Sequence, residues 1–185
     1  MNREIVQGPP GEQEICVTCG FCCDGTIFRH AHLNPGERDM IPELLAESVR
    51  DFDGTDYFLQ PCPYFKGKCS IYDIRRADVC GSYRCQLLKD VEAGRVSPGE
   101  ALREVADAMA MRKGIFEYFR RLTGSEAGSF RELLMDLGKY NAPDTTGGGA
   151  QAGEADLLQA RCNIFEALLI RHFRSTDDFD KLIMK

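Results

Sequence analysis

Cys16-Val17-Thr18-Cys19-Gly20-Phe21-Cys22-Cys23 packs four thiols into eight residues, and the reading of the whole chain turns on this run. A second group follows at Cys62, Cys69, Cys80 and Cys85. Eight of the nine cysteines therefore lie in the first half, and Cys162 stands apart. A thiolate is a soft, anionic ligand suited to zinc, copper(I) or an iron–sulfur cluster. Nothing else in the sequence makes so specific a chemical statement. The first expectation is a metal site with Cys16, Cys19, Cys22, Cys23, Cys62, Cys69, Cys80 and Cys85 as its ligands.

The spacing leaves two groupings open. Cys16, Cys19 and Cys22 repeat the bacterial ferredoxin run, which a remote cysteine followed by proline completes, and Cys62-Pro63 offers that pair. A 4Fe–4S cluster on Cys16, Cys19, Cys22 and Cys62 would leave Cys23, Cys69, Cys80 and Cys85 as a second quartet. Zinc would instead draw on two short knuckles, Cys16/Cys19 and Cys80/Cys85. The adjacent Cys22 and Cys23 point apart, so they suit two neighbouring metals, or one ligand beside a buried thiol, better than a single ion. This geometry tips the reading toward iron–sulfur, one cluster or two, with Zn2+ as the alternative.

Composition sets the frame. At 185 residues and 43% hydrophobic content the chain can bury one good core, or a small domain and an appended one. A formal charge of −6 and the lack of a basic stripe argue against nucleic acid as a partner. Met1 to Pro10 lacks the apolar core of a signal peptide, and no later segment approaches the roughly 18–20 apolar residues of a membrane helix. The expected location is the cytoplasm, with no membrane partner. In a reducing compartment clustered cysteines serve as metal ligands or redox groups more often than as disulfides, and an odd total fits a closed disulfide framework poorly.

Along the chain, residues 1–14 read as a loose arm around Gly8-Pro9-Pro10-Gly11. Thr26 to Leu33 opens with a strand-like apolar pair, and Asn34-Pro35-Gly36 turns the chain. Pro42 to Arg50 reads as a helix with Leu44, Leu45 and Val49 facing inward, ended by Asp51 to Gly54. A further helix is expected from near Tyr83 to Ala93, closed by Gly94. Ser97-Pro98-Gly99-Glu100 opens a long one, with Leu102, Val105, Met109, Phe116 and Phe119 at helical spacing up to Leu122 and Gly124 as its stop. Ser129 to Glu132 repeats the entry pattern for a short helix that Gly138 should end. Asn141 to Gly153 reads as a linker. Asp156 to Arg174 follows as an amphipathic helix carrying Leu158, Cys162, Phe165 and Leu169 on one side, which makes Cys162 a buried apolar thiol. Asp177 to Asp180 reads as a solvated acidic end.

Several side chains near the thiols have two readings. His30 and His32 share one face of a strand, as metal ligands or as surface histidines. Asp24 either offers a hard oxygen to a metal or caps the turn at Gly25. Tyr64, Phe65, Tyr72 and Tyr83 should pack around the site and exclude water. Arg75, Arg76 and Arg84 either balance thiolate charge or solvate the surface. No Ser-His-Asp set, Walker loop or GxGxxG motif is present.

Together these blocks resemble the CxxCxxCC (YkgJ-like) cysteine-cluster family, to which zinc or iron chelation is ascribed. The likeness rests on Cys16-x2-Cys19-Gly20-Phe21-Cys22-Cys23, then Pro61-Cys62-Pro63-Tyr64-Phe65, then Lys68 to Arg75, then Cys80 and Tyr83-Arg84-Cys85. It covers roughly residues 16–85, under half the chain. Two departures stand out. Arg76 is followed by Ala77 where members write proline, and Cys80 to Cys85 replaces Cys-Arg-x-aromatic-Pro-Cys. The resemblance implies metal chelation by the eight cysteines and implies no reaction. Bacterial flagellin lysine methylases carry a similar cluster, which makes a role accompanying protein modification conceivable.

The expected architecture is mainly α, with an irregular, metal-organised cysteine-rich N-terminal half and a helical C-terminal half. Its parts are a metal-binding domain at 1–94, a helical extension packed on it at 95–140, a flexible linker at 141–153, and a C-terminal helix with an acidic tail at 154–185. The expected function is that of a cytoplasmic iron–sulfur protein in redox or accessory chemistry, with a protein as its partner. The alternative is a zinc-stapled interaction module without catalysis. Were the chain an enzyme, it would be an iron–sulfur oxidoreductase or a component of a protein-modifying system.

Overall fold

A computed structural model describes residues 10–140 and 149–174. In chain order the elements are α1 (Pro10–Cys19), β1 (His30–His32), α2 (Glu43–Glu47), β2 (Val49–Phe52), β3 (Thr55–Leu59), α3 (Asp78–Ser82), α4 (Gln86–Glu92), α5 (Pro98–Thr123), α6 (Phe130–Tyr140) and α7 (Gly149–Leu168). A π-helical turn, Leu169–Phe173, continues α7. The chain is mainly α-helical, with one small sheet.

The spine is α5, and its ends follow from sequence. Ser97 Oγ accepts the Glu100 N–H at 3.3 Å, the Glu100 carboxylate accepts the Ser97 N–H at 2.9 Å, and Pro98 takes the first turn. Gly124 closes the helix at φ 72°, a left-handed cap. Of the expected stripe, Val105 and Phe119 are buried and Leu102 and Phe116 pack against the core. Ala101, Val105, Ala108, Ile115 and Phe119 face the core, whereas Met109 is exposed. The inner face thus mixes alanines with larger side chains, and α5 packs against both α1 and α7.

Around α5 lies a large core to which α1, α4, α6 and α7 all contribute. Phe21 meets Phe173 at 5.1 Å and Phe165 at 6.0 Å, and Phe165 meets Phe130 at 5.0 Å, all edge to face. Cys162 is fully buried in this core, as its helical position predicts. Ile15, Leu87 and Leu88 belong to the same core as Val105 and Phe165, so residue 94 marks no break in packing.

A second, smaller core holds Leu33, Ile41, Leu45, Val49, Phe58 and Ala77. It sits under an antiparallel sheet ordered β1-β3-β2, with His30 opposite Leu59 and Val49 opposite Phe58. Among the described residues no helix is long and apolar enough to cross a membrane.

Five expectations about elements need correction. The arm expected over residues 1–14 is already helical from Pro10, because Ile15 packs into the large core and the buried Glu12 pairs with Arg84; residues 1–9 lie outside the described part. The helix expected from Pro42 to Arg50 stops at Glu47, and Val49–Phe52 pairs as a strand instead. Asp53 and Gly54, at φ 52° and 73°, form the two-residue turn of a hairpin rather than a helix stop. Gly138 does not end α6, which runs to Tyr140. Finally, α7 begins at Gly149, inside the expected linker, while 141–148 and the acidic end lie outside the described residues.

Candidate metal centre

The first cysteine block is a helix end followed by a tight turn. Cys16 and Cys19 ride the last turn of α1, and Gly20 at φ 65° breaks it, donating its N–H to Cys16 O at 3.2 Å. Cys23 N–H and Asp24 N–H both return to Gly20 O, at 2.8 and 2.9 Å, which swings Cys22 and Cys23 inward. Only glycine suits position 20: a Cβ there would run into the Phe65 ring, which belongs to the second block. The blocks also join through backbone, since Cys62 N–H donates to Cys23 O at 2.7 Å. Between β3 and α3 the chain runs through turns carrying Cys62 and Cys69. Cys80 then sits in α3 and Cys85 at the entrance of α4.

These segments enclose a chamber of about 80 Å³ walled by Cys16, Cys22, Cys23, Cys62, Cys69 and Cys80. Cys19 and Cys85 stand just outside it, packed with Cys22 against the large core. Cys62 and Cys80 pack against the small core. The chamber therefore lies on the seam between the two cores. All nine cysteines are free thiols.

The thiols influence one another across both blocks. Cys19 feels Cys85 and Cys16, Cys22 feels Cys16, Cys23, Cys19 and Cys85, and Cys23 feels Cys80, Cys16, Cys62 and Cys69. Cys16 and Cys23 thus neighbour thiols of both blocks, and these relations single out no quartet. Among the described residues no three His, Cys, Asp or Glu side chains come together as a metal-holding group. The thiols ring the chamber rather than meet at one point.

Burial is the largest influence on the thiols. It pushes Cys16, Cys19, Cys22, Cys23 and Cys62 up, Cys80 to about 12 and Cys85 to about 11. The thiols raised in this way hold their protons at neutral pH. Opposing burial, Arg76 draws Cys16 and Cys80 down.

Arg76 is the exceptional side chain of the wall. It is buried, its guanidinium lies 4.0 Å from the centre of the Tyr72 ring, and among the described residues no carboxylate pairs with it. Its neighbours in sequence are satisfied elsewhere. Arg75 bonds Asp78 at 2.8 Å and lies 3.7 Å from the fully buried Glu37, and Arg84 pairs with Glu12 and, at 3.4 Å, with Glu92. Of the three arginines, Arg76 is the one on the chamber wall. Burying a lone guanidinium costs several kcal/mol, about the penalty of any desolvated ion, unless negative charge faces it. A set of soft thiols around that cation is a donor set that fits a thiolate-bound metal centre.

The remaining candidates sort cleanly. His30 and His32 flank the Tyr57 ring on one face of β1, at 5.0 and 5.7 Å. Only His30 reaches the chamber, where burial and Arg29 hold its imidazole below the usual value. Asp24 turns away. Its Oδ1 accepts the Thr26 N–H at 2.8 Å, which is the turn-capping role, and its Oδ2 lies 3.3 Å from Arg112 of α5. Tyr72 and Tyr83 line the chamber, and Tyr83 stacks edge-on against Phe28 at 4.9 Å. Phe65 covers Gly20, and the Tyr64 hydroxyl accepts the Leu44 N–H at 3.3 Å.

Glu37 is the functional neighbour that sequence reasoning overlooks. Its carboxylate accepts the N–H groups of Asn34, at 2.8 Å, and of Asp78, so it holds the start of the helix bearing Cys80. A glutamate directly after Asn34-Pro35-Gly36 reads as solvent-facing, and no local signal marks it otherwise. No protein-family model, curated protein or solved structure matches this chain.

Proposed function

We propose that the chain is a cytoplasmic metal-binding protein whose cysteines hold an iron–sulfur cluster for redox or accessory chemistry. The observation that carries this reading is Arg76, a buried cation without a carboxylate, facing six thiols across one small chamber. Thiolates bound to metal supply the negative charge that such a site needs. The likeness to the CxxCxxCC family supports the same reading. An iron–sulfur group would supply electron transfer; the chain's own residues bind it, exclude water through Tyr72 and Tyr83, and place Arg76 against it. Anaerobic purification, visible absorbance and iron and sulfide analysis test this. Broad absorbance near 400 nm with acid-labile sulfide, on the order expected of such clusters, is the anticipated result. A colourless protein with stoichiometric zinc would overturn it.

One observation favours the second reading, a zinc staple for an interaction module. Cys19, Cys22 and Cys85 pack on the large core while Cys62 and Cys80 pack on the small one. Metal between them would fasten a lobe whose core has six residues, too few to stand alone.

A further inference from the structure

Behind the thiol chamber lies a second cavity, of about 150 Å³, whose walls differ in character. Arg29, Arg131 and Arg174 line it with Gln60, Ser129 and Glu166. We propose that this cavity binds a small oxyanion, the phosphate or carboxylate group of a small molecule.

Charge is the first argument. The lining carries the guanidinium groups of Arg29, Arg131 and Arg174 and the single carboxylate of Glu166, in a chain whose overall charge is −6. Neither Arg29 nor Arg131 forms an ion pair among the described residues. A guanidinium fork on the wall of a concavity matches the planar geometry of carboxylate and phosphate, and the low-dielectric walls of a cleft focus its field.

Geometry is the second. Gln60 N–H donates to Arg29 O at 2.9 Å, extending the β1–β3 register one step beyond His30 opposite Leu59. Arg29 and Gln60 are thereby cross-strand neighbours on one face. Gln60 Oε1 is buried without a hydrogen-bond partner. A buried acceptor left open is costly, and a hydroxyl or protonated oxygen of a ligand would satisfy it. Ser129 Oγ accepts the Glu132 N–H at 3.2 Å, which leaves its own hydrogen free to donate. The volume exceeds the roughly 30 Å³ share of one water severalfold, so the cavity admits a group of several heavy atoms.

Position gives the site its interest. Phe28 and Gln60 line both cavities, so a ligand held by the arginines rests against the back wall of the thiol chamber. The inference does not depend on what the thiols hold.

Calorimetric titration of the full chain with inorganic phosphate and, separately, succinate tests it, with chloride matched at low ionic strength. Saturable binding of one per chain is expected. Arg131→Ala and Arg29→Ala should each weaken it by about tenfold, the scale of one charge-assisted contact, while Arg120→Ala, which lies outside the cavity, should not. Arg29 and Arg131 are exposed, so the variants should fold, and unchanged helicity by circular dichroism verifies that. Binding of phosphate alone assigns the phosphate source, and of succinate alone the carboxylate. Absence of saturation by both up to about 10 mM, or equal affinity in Arg131→Ala, Arg29→Ala and the parent chain, would overturn the proposal.

Discussion

Arg76 and Glu37 show what single residues do here that their letters do not announce. Arg75, Arg76 and Arg84 are alike on the page, yet two find carboxylates and one turns into the thiols. That choice depends on which side of a turn each faces, and a turn without periodicity carries no such signal. The eight cysteines were legible because their chemistry is specific; which thiols neighbour which was not, because separation in sequence does not fix separation in space. The raised thiols make a pH prediction. In metal-free protein, Cys85 and Cys80 ionise at about 11 and about 12 when folded, against an ordinary 9.0. A group raised in the fold lends its stability fully below the unfolded value and loses it as pH climbs through the folded one. The apo fold should therefore weaken from about pH 9 upward, by about 1.4 kcal/mol per pH unit and so by about 2 kcal/mol at pH 10.5 from Cys80 alone. Guanidinium midpoints at pH 7.5 and 10.5 would check this, and Cys80→Ala should show a smaller difference.

At the scale of elements, strong local signals succeeded and competing ones misled. The capping box of α5 and its closing Gly124 stood where the residues put them. The segment after Pro42 failed because Leu45 and Val49 suit a helix face and a strand edge equally. The Asp53-Gly54 pair, a hairpin signal, was spent on a helix stop. Gly138 misled similarly: it lies inside α6 because packing on the core outweighs its poor propensity. A Cβ on Gly114 would meet nothing within 4 Å. Gly114→Ala is therefore expected to stabilise the chain by about 0.5–1 kcal/mol, read as a higher midpoint in chemical denaturation.

For the whole molecule, the decisive fact is that thiols lie along a seam. The large core has a continuous aromatic interior and its own helices, while the small core has six buried residues under three short strands. Removing metal should act unequally on the two. A chelator is expected to strip amide-exchange protection from β2, β3 and the turns bearing Cys62 and Cys69, leaving α5 and α7 protected. Hydrogen-exchange mass spectrometry on loaded and chelated protein reads this directly; uniform loss across both cores would mean the lobes unfold as one. The mainly helical class was visible in the spacing of α5 and α7, and β1 in the strand-like run around His30 and His32, but β2 and β3 were not, because they are too short to show alternation.

The hydrogen bond from Cys62 to Cys23 O makes those two residues spatial neighbours although the sheet and α2 intervene. Everything from 24 to 61 is thus an excursion that leaves and re-enters the structure at nearly the same place. Such a detour can lengthen, shrink or change its tip at Asp53 without moving its point of departure. Variation in that lobe between otherwise similar chains would be a natural outcome, with the thiol-bearing junction beneath it kept in register.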